Sequence, residues 1–284
     1  MSLSIRNLDA PLGAEVCGAD LSKPLAREDV EAIADAWQAR LVVVFHTQRL
    51  SDPQLLAFST NFGELDPPGP NPYGGPFIKD FPEINVISNV VEQGRPIGNL
   101  GDGEAVWHAD MTYVDMPPKA AMLYSLEVPP SGGNTYFADM FAAYEILPAD
   151  LKQAAEGKLA VHDASRNSAG MLRKGYKEVT DVRETVGARH PLVRTGPHTG
   201  RKALFLGRRP NSYVVGLDVT ASEALLDALW AHATQPRFAM CHQWKVGDLL
   251  MWNNLSVLHR RDPFDPNSRR VMHRTQIKGN ERIA

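Results

Sequence analysis

The chain has 284 residues, 43% of them hydrophobic and 22% charged, with a formal net charge of −3. That balance excludes a disordered chain, and the lack of a basic excess excludes a general nucleic-acid binder. Two cysteines, Cys17 and Cys241, make neither a disulfide framework nor a zinc-type pair, no apolar run reaches about 18 residues, and "MSLSIRNLDAPLGAEV" lacks the pattern of a signal peptide. The expectation is a cytoplasmic protein with no membrane partner.

In chain order, "LGAEVCGADL" (12–21) alternates like a strand and leads into a helix over 27–41. "VVVFHTQ" (42–48) is a short buried-type strand, and "SDPQLLAFSTNFGEL" (51–65) opens with a serine cap and a proline in its first turn, as a helix does. The proline- and glycine-rich 66–83 reads as a long loop of the kind that covers binding sites. Short strands follow at 84–90, 107–113, 120–128, 133–139, 203–207, 248–252 and 270–277, interrupted by helices at 140–147, 149–157 and 220–234. Many short strands between turn signals predict a mainly β fold of the sandwich or jelly-roll kind. With no repeat or linker, the chain reads as one domain, 1–284.

Within "WHADMTY" (107–113), residues two apart on a strand share a face, so His108 and Asp110 emerge side by side. Such a pair is a hydrogen-bonded couple, part of a catalytic relay, or two ligands of one metal. By itself the spacing is uninformative, since a chain of this composition contains His-x-Asp about 0.6 times by chance. The C-terminal region adds His259 after an Asn-Asn turn, and a strand on which Arg270 and Arg274 share one face. Two arginines there mark either an exposed face or two bound anions, to which the planar guanidinium offers bidentate bonds. Two histidines and a carboxylate form the facial triad of non-haem Fe(II) oxygenases; a zinc hydrolase is the competing chemistry. The arginine eleven residues beyond His259 has no task in hydrolysis, but would anchor the far carboxylate of a metal-bound 2-oxo acid.

"WHADMTY" (107–113), "VPPSGGNTYFADMFAAYEILP" (128–148), "HPLVRTGPHTGRKALFLG" (190–207), "VGDLLMWNNLSVLH" (246–259) and "RRVMHRT" (269–275) together resemble the Fe(II)/2-oxoglutarate-dependent taurine dioxygenase family, in particular its dichlorophenoxyacetate branch. The resemblance runs over nearly the whole chain. It implies a double-stranded β-helix, a cupin-like jelly roll flanked by helices. It further implies Fe(II) held by His108, Asp110 and His259, and 2-oxoglutarate held by Arg270 with help from Thr135, Trp252 packing alongside. Arg274 matches the position that meets the substrate's anionic head. The implied reaction consumes O2 and 2-oxoglutarate, releases succinate and CO2, and hydroxylates a small anionic organic substrate. A homo-oligomer, dimer or tetramer, is implied as well.

For substrate, taurine itself is disfavoured: the relatives' histidine after "FGEL" is missing from 66–73, and Glu104 stands where they have an asparagine. "GGPFIKDF" resembles "GGFIK" of the dichlorophenoxyacetate enzymes, which makes Lys79 a candidate second partner for a carboxylate, with Met111, Tyr113 and Phe205 lining the pocket. The leading expectation is an aryloxyalkanoate cleaved at its ether. An alkylsulfonate or sulfate ester comes next, and a jelly-roll zinc hydrolase or non-catalytic binding protein is the alternative from another class.

Overall fold

Strands such as "VVVF" and "LLMW" carry apolar side chains at every position because both faces of their sheet are covered. Alternation along the strand then sorts the residues. Val42, Val44, Leu250, Trp252, Ala121, Leu123 and Met272 enter one apolar cluster, while Val43, Phe45, Leu249, Met251, Ala120 and Met122 enter another. The computed structural model describes residues 3–69, 75–102, 105–197 and 199–283.

The larger sheet has eight strands in the order Ser4–Asn7, Ala14–Cys17, Val42–Phe45, Leu249–Asn253, Ala120–Glu127, Val271–Ile277, Asn85–Ser88 and Asn99–Leu100. The smaller is antiparallel, in the order Ala239–His242, Thr135–Asp139, Val257–Arg261 and Ala105–His108. Phe137 and Leu258 of the smaller sheet share a cluster with Leu250, Trp252 and Met272 of the larger, so the sheets pack face to face as a jelly roll. Ile33, Trp37, Leu55 and Phe58, from the helices Arg27–Arg40 and Asp52–Thr60, join the larger sheet's outer cluster. The helices Met140–Glu145, Ala149–Ala155 and Val219–Ala233 adjoin the first cluster. Among the described residues no helix is long and apolar enough to cross a membrane.

Most predicted elements are present with shifted ends. The helix expected over 51–65 covers Asp52–Thr60: Gln54 accepts a hydrogen bond from the Ser51 backbone N–H at 2.8 Å, and the chain turns away at Gly63, whose φ is +142°. The predicted strand 107–113 is corrected more deeply. The strand is Ala105–His108, and Met111 has a left-handed φ of +51°. Pairing with Val257–Arg261 starts from His259 opposite His108. Beyond it, Asn254 takes over the backbone of Asp110, Oδ1 accepting from its N–H at 2.7 Å and Nδ2 donating to its carbonyl at 2.9 Å. The loop expected over 66–83 contains no helix or strand at 66–69 or 75–83; residues 70–74 lie outside the described residues.

Candidate metal centre and its two chambers

His108 and His259 face each other across adjacent strands, their ring centroids 4.1 Å apart. Asp110 reaches the same point from the turn. Its Oδ1 lies 3.7 Å from His108 Nε2 and its Oδ2 3.9 Å from His259 Nε2. The candidate ligand atoms of all three lie within 4.8 Å of one another, and all three residues are buried.

The side chains fit a divalent cation. His108 Nδ1 sits 2.7 Å from the Val106 carbonyl, which makes Nδ1 the donor and leaves the Nε2 lone pair facing inward. Burial, reinforced by His108, holds the His259 imidazole well below its ordinary pKa, so it is neutral and able to ligate. Burial pushes the Asp110 carboxyl up, but Arg274, His108 and His259 together outweigh it and hold the group well below the usual carboxylate range. Asp110 is therefore ionised, yet its Oδ2 is buried without a hydrogen-bond partner. Arg274 serves Oδ1 alone, and a cation between Oδ2 and the two imidazoles would serve the other oxygen.

Two cavities meet at this cluster, sharing His108 and Arg274 in their walls. One, of about 460 Å³, is lined by Thr135, Trp252, His259 and Arg270. Arg270 is 1% exposed, and its Nε and Nη1 have no hydrogen-bond partner. Burial, and then the neighbouring Arg261, push its pKa down to about 9. Arg270 is thus a buried guanidinium awaiting an anion. Thr135 Oγ1 accepts a hydrogen bond from Trp244 Nε1 at 2.9 Å, which leaves its own hydrogen free to donate. The other cavity, of about 780 Å³, is lined by Met111 and Tyr113 and by residues of 163–173. Arg274 Nη1 donates to Asp110 Oδ1 at 2.8 Å, while its Nε is buried and unpartnered.

Two sequence expectations are not brought to this place. Lys79 is exposed and lines neither cavity, because the 75–83 segment turns it outward. Phe205 is 2% exposed and lines neither cavity; it stacks on His162 at 5.5 Å and meets His190 edge-on at 5.3 Å, as a core residue. Glu104 lies outside the described residues.

Sequence reasoning passed over Asn254, visible only as half of an Asn-Asn turn, and Trp244, which orients Thr135. It also passed over Asp248, which supports the same wall. Asp248 accepts from Lys245 N–H at 2.9 Å, with His46 Nδ1 at 2.7 Å and His242 Nε2 at 3.0 Å from its two oxygens. Burial raises its pKa, but the His242 and His46 contacts and the Lys245 N–H more than offset this, and the net value is lowered. A lowered folded value adds stability above the unfolded carboxylate's pKa, about 4, and loses it as pH falls through the folded value. Asp248→Asn is therefore expected to cost roughly 1–3 kcal/mol at pH 7, with the gap to the parent narrowing below about pH 4. Urea melts across pH check both signs.

A jelly roll with two imidazoles, a carboxylate and a buried arginine at the end of an adjoining chamber defines a class, the Fe(II)/2-oxoglutarate-dependent dioxygenases. This chain belongs to the family described as "Taurine catabolism dioxygenase TauD, TfdA family", which its residues 4–276 match. It is 37% identical to an alpha-ketoglutarate-dependent 2,4-dichlorophenoxyacetate dioxygenase of Cupriavidus pinatubonensis, over 96% of this chain and 97% of that protein. It is 34% identical to an (S)-phenoxypropionate/alpha-ketoglutarate-dioxygenase of Sphingobium herbicidovorans, over 98% and 96%. Among solved structures, AAD-2 in complex with Mn(II) and N-oxalylglycine superposes with a TM-score of 0.81 at 32% identity, covering 100% of both chains. The protein is an enzyme of this class and uses Fe(II), 2-oxoglutarate and O2.

Proposed function

We propose that His108, Asp110 and His259 hold the iron, that Arg270 and Thr135 hold the far carboxylate of 2-oxoglutarate beside Trp252, and that Arg274 receives the substrate's acidic head. The observation that carries this reading is the pair of chambers meeting at the triad, one of them lined by a buried guanidinium without a counter-ion among the described residues. We read the substrate as an aryloxyalkanoate-type carboxylate, in line with the names of the relatives. The unpaired thiols of Cys17 and Cys241 support a cytoplasmic setting.

Iron with 2-oxoglutarate and dioxygen supplies the oxidising power: one oxygen atom goes to a substrate C–H, the other to succinate, and CO2 leaves. The chain's own residues decide which C–H is exposed to it. Asn254 fixes the Asp110 turn, the Val106 carbonyl fixes the His108 tautomer, and the burial of all three ligands keeps bulk water out. Arg274 holds Asp110 through Nη1 and keeps Nε for the substrate carboxylate, which would place the carbon next to that carboxylate beside the metal. Hydroxylation at an ether carbon gives a hemiacetal, which collapses to a phenol and an oxo acid.

The test is substrate-stimulated succinate release with ferrous iron and ascorbate, across phenoxyacetates, phenoxypropionates, alkylsulfonates and sulfate esters. Phenoxy acids are expected to stimulate it. Stimulation by sulfate esters alone would move the substrate reading to that branch, and none with any acid would defeat it. Arg274→Gln, which keeps a donor for Asp110, is expected to lower kcat/KM for the acid by roughly 100-fold while 2-oxoglutarate affinity changes little. Equal damage to both would refute the division of labour between the two arginines.

A further inference from the structure

The substrate chamber is richer in charge than an apolar aryl group needs. Arg166, Arg173, Arg208 and Arg274 all line it. Two of them are spoken for, Arg208 by Asp163 at 2.8 Å and Arg166 by Glu178, while Arg274 holds Asp110 through Nη1 and keeps its Nε for the substrate carboxylate. Among the described residues Arg173 has no carboxylate within ion-pair distance. Its Nη1 donates to the Ala164 carbonyl at 3.1 Å, and its guanidinium lies over the Tyr113 ring, 3.9 Å from the centroid. Tyr113 also has an unmet need. Its Oη is buried and has no hydrogen-bond partner among the described residues, and it lies so close to Gly69 that a Cβ there would come within 2.5 Å of it. Burial raises the pKa of this phenol, although Arg173 and Arg274 pull it down, so the group is protonated and a donor at neutral pH.

A half-buried cation and a buried O–H donor, stacked on each other in one chamber wall, are costly against a hydrocarbon or halogenated ring. Both are satisfied by an oxyanion. We propose that Arg173 and Tyr113 form a second anion subsite in the substrate chamber, so that the preferred substrate carries an acidic group at each end. One acid goes to Arg274 and the other to Arg173 and Tyr113. The proposal rests on the substrate reading above and narrows it from monoacids with an apolar tail to diacids.

Titration calorimetry on the protein loaded with Mn(II) and 2-oxoglutarate tests it, with phenoxyacetate and 4-carboxyphenoxyacetate as probes. The diacid is expected to bind about tenfold or more tightly than the monoacid. Arg173→Gln is expected to bring the ratio of the two affinities close to one. Tyr113→Phe, which deletes only the hydroxyl, is expected to reduce that ratio roughly three- to tenfold and serves should the glutamine variant fail to fold. A diacid that fails to bind, or binds no better than the monoacid, overturns the proposal, as does a ratio that both variants leave unchanged. Succinate release from the bound acids is a separate reading. Release with no diacid preference sinks the subsite alone, whereas a preference without release keeps the subsite and sinks the aryloxy reaction.

Discussion

Arg270→Met raises the melting temperature of the cosubstrate-free protein and abolishes the further rise that 2-oxoglutarate produces in the parent. The two effects share one cause. In the free protein this guanidinium is 1% exposed and, among the described residues, has no carboxylate partner and no acceptor for Nε or Nη1, so the cost of desolvating its charge is left largely unmet. Methionine fills much of the same volume against Phe264 without a charge to desolvate. Exchanges of buried charges for apolar side chains commonly stabilise by about 1–4 kcal/mol, and each kcal/mol is worth roughly 2–4 °C in a chain of this size. The same exchange removes the cation proposed to hold 2-oxoglutarate, a loss of about 2–5 kcal/mol in binding, or roughly 30- to 5,000-fold in Kd. Differential scanning fluorimetry with and without 2-oxoglutarate reads both. A variant that melts lower than the parent and is still stabilised by 2-oxoglutarate would show that Arg270 is a structural residue.

His259→Ala produces the largest loss of turnover. Loss of a residue that merely orients a metal ligand costs about 10- to 100-fold in affinity or activity, so if His259 ligates the iron as proposed, its loss is expected to exceed roughly 100-fold in both. The side chain also packs against Trp252 and Phe137, with ring centroids 5.0 and 6.1 Å away, so the variant is expected to melt lower than the parent. Metal titration of the folded variant, monitored beside circular dichroism, separates the two effects. Fe(II) affinity within a fewfold of the parent's would remove His259 from the ligand set.

The continuous apolar runs "VVVF" and "LLMW" were legible as buried strands because both faces of their sheet are covered, one by the second sheet and one by helices. The convergence of His108 and Asp110 was legible too, but for a reason the structure replaces. A left-handed turn at Met111 and the side chain of Asn254, 144 residues beyond Asp110, aim the carboxylate, where strand alternation alone predicts the same convergence. Contacts across such separations leave no local periodicity. Phe205 shows the opposite limit: in an apolar run read as a strand over 203–207, a residue has the same pattern whether it faces a ligand or, as here just past the strand Lys202–Leu204, His162 and His190. Lys79 rested on local likeness, and local likeness does not say which way an irregular segment turns its side chains. Arg173 belongs to a long irregular stretch, where neither the period of a helix nor that of a strand marks which face points into a chamber.

A crystal structure of the protein with Mn(II) and N-oxalylglycine bound decides whether these residues hold the metal and its keto acid. One metal ion is expected on His108, Asp110 and His259, with the ligand's distal carboxylate on Arg270 and Thr135. A metal bound elsewhere, or the distal carboxylate on Arg274 with Arg270 still unpartnered, would contradict that assignment.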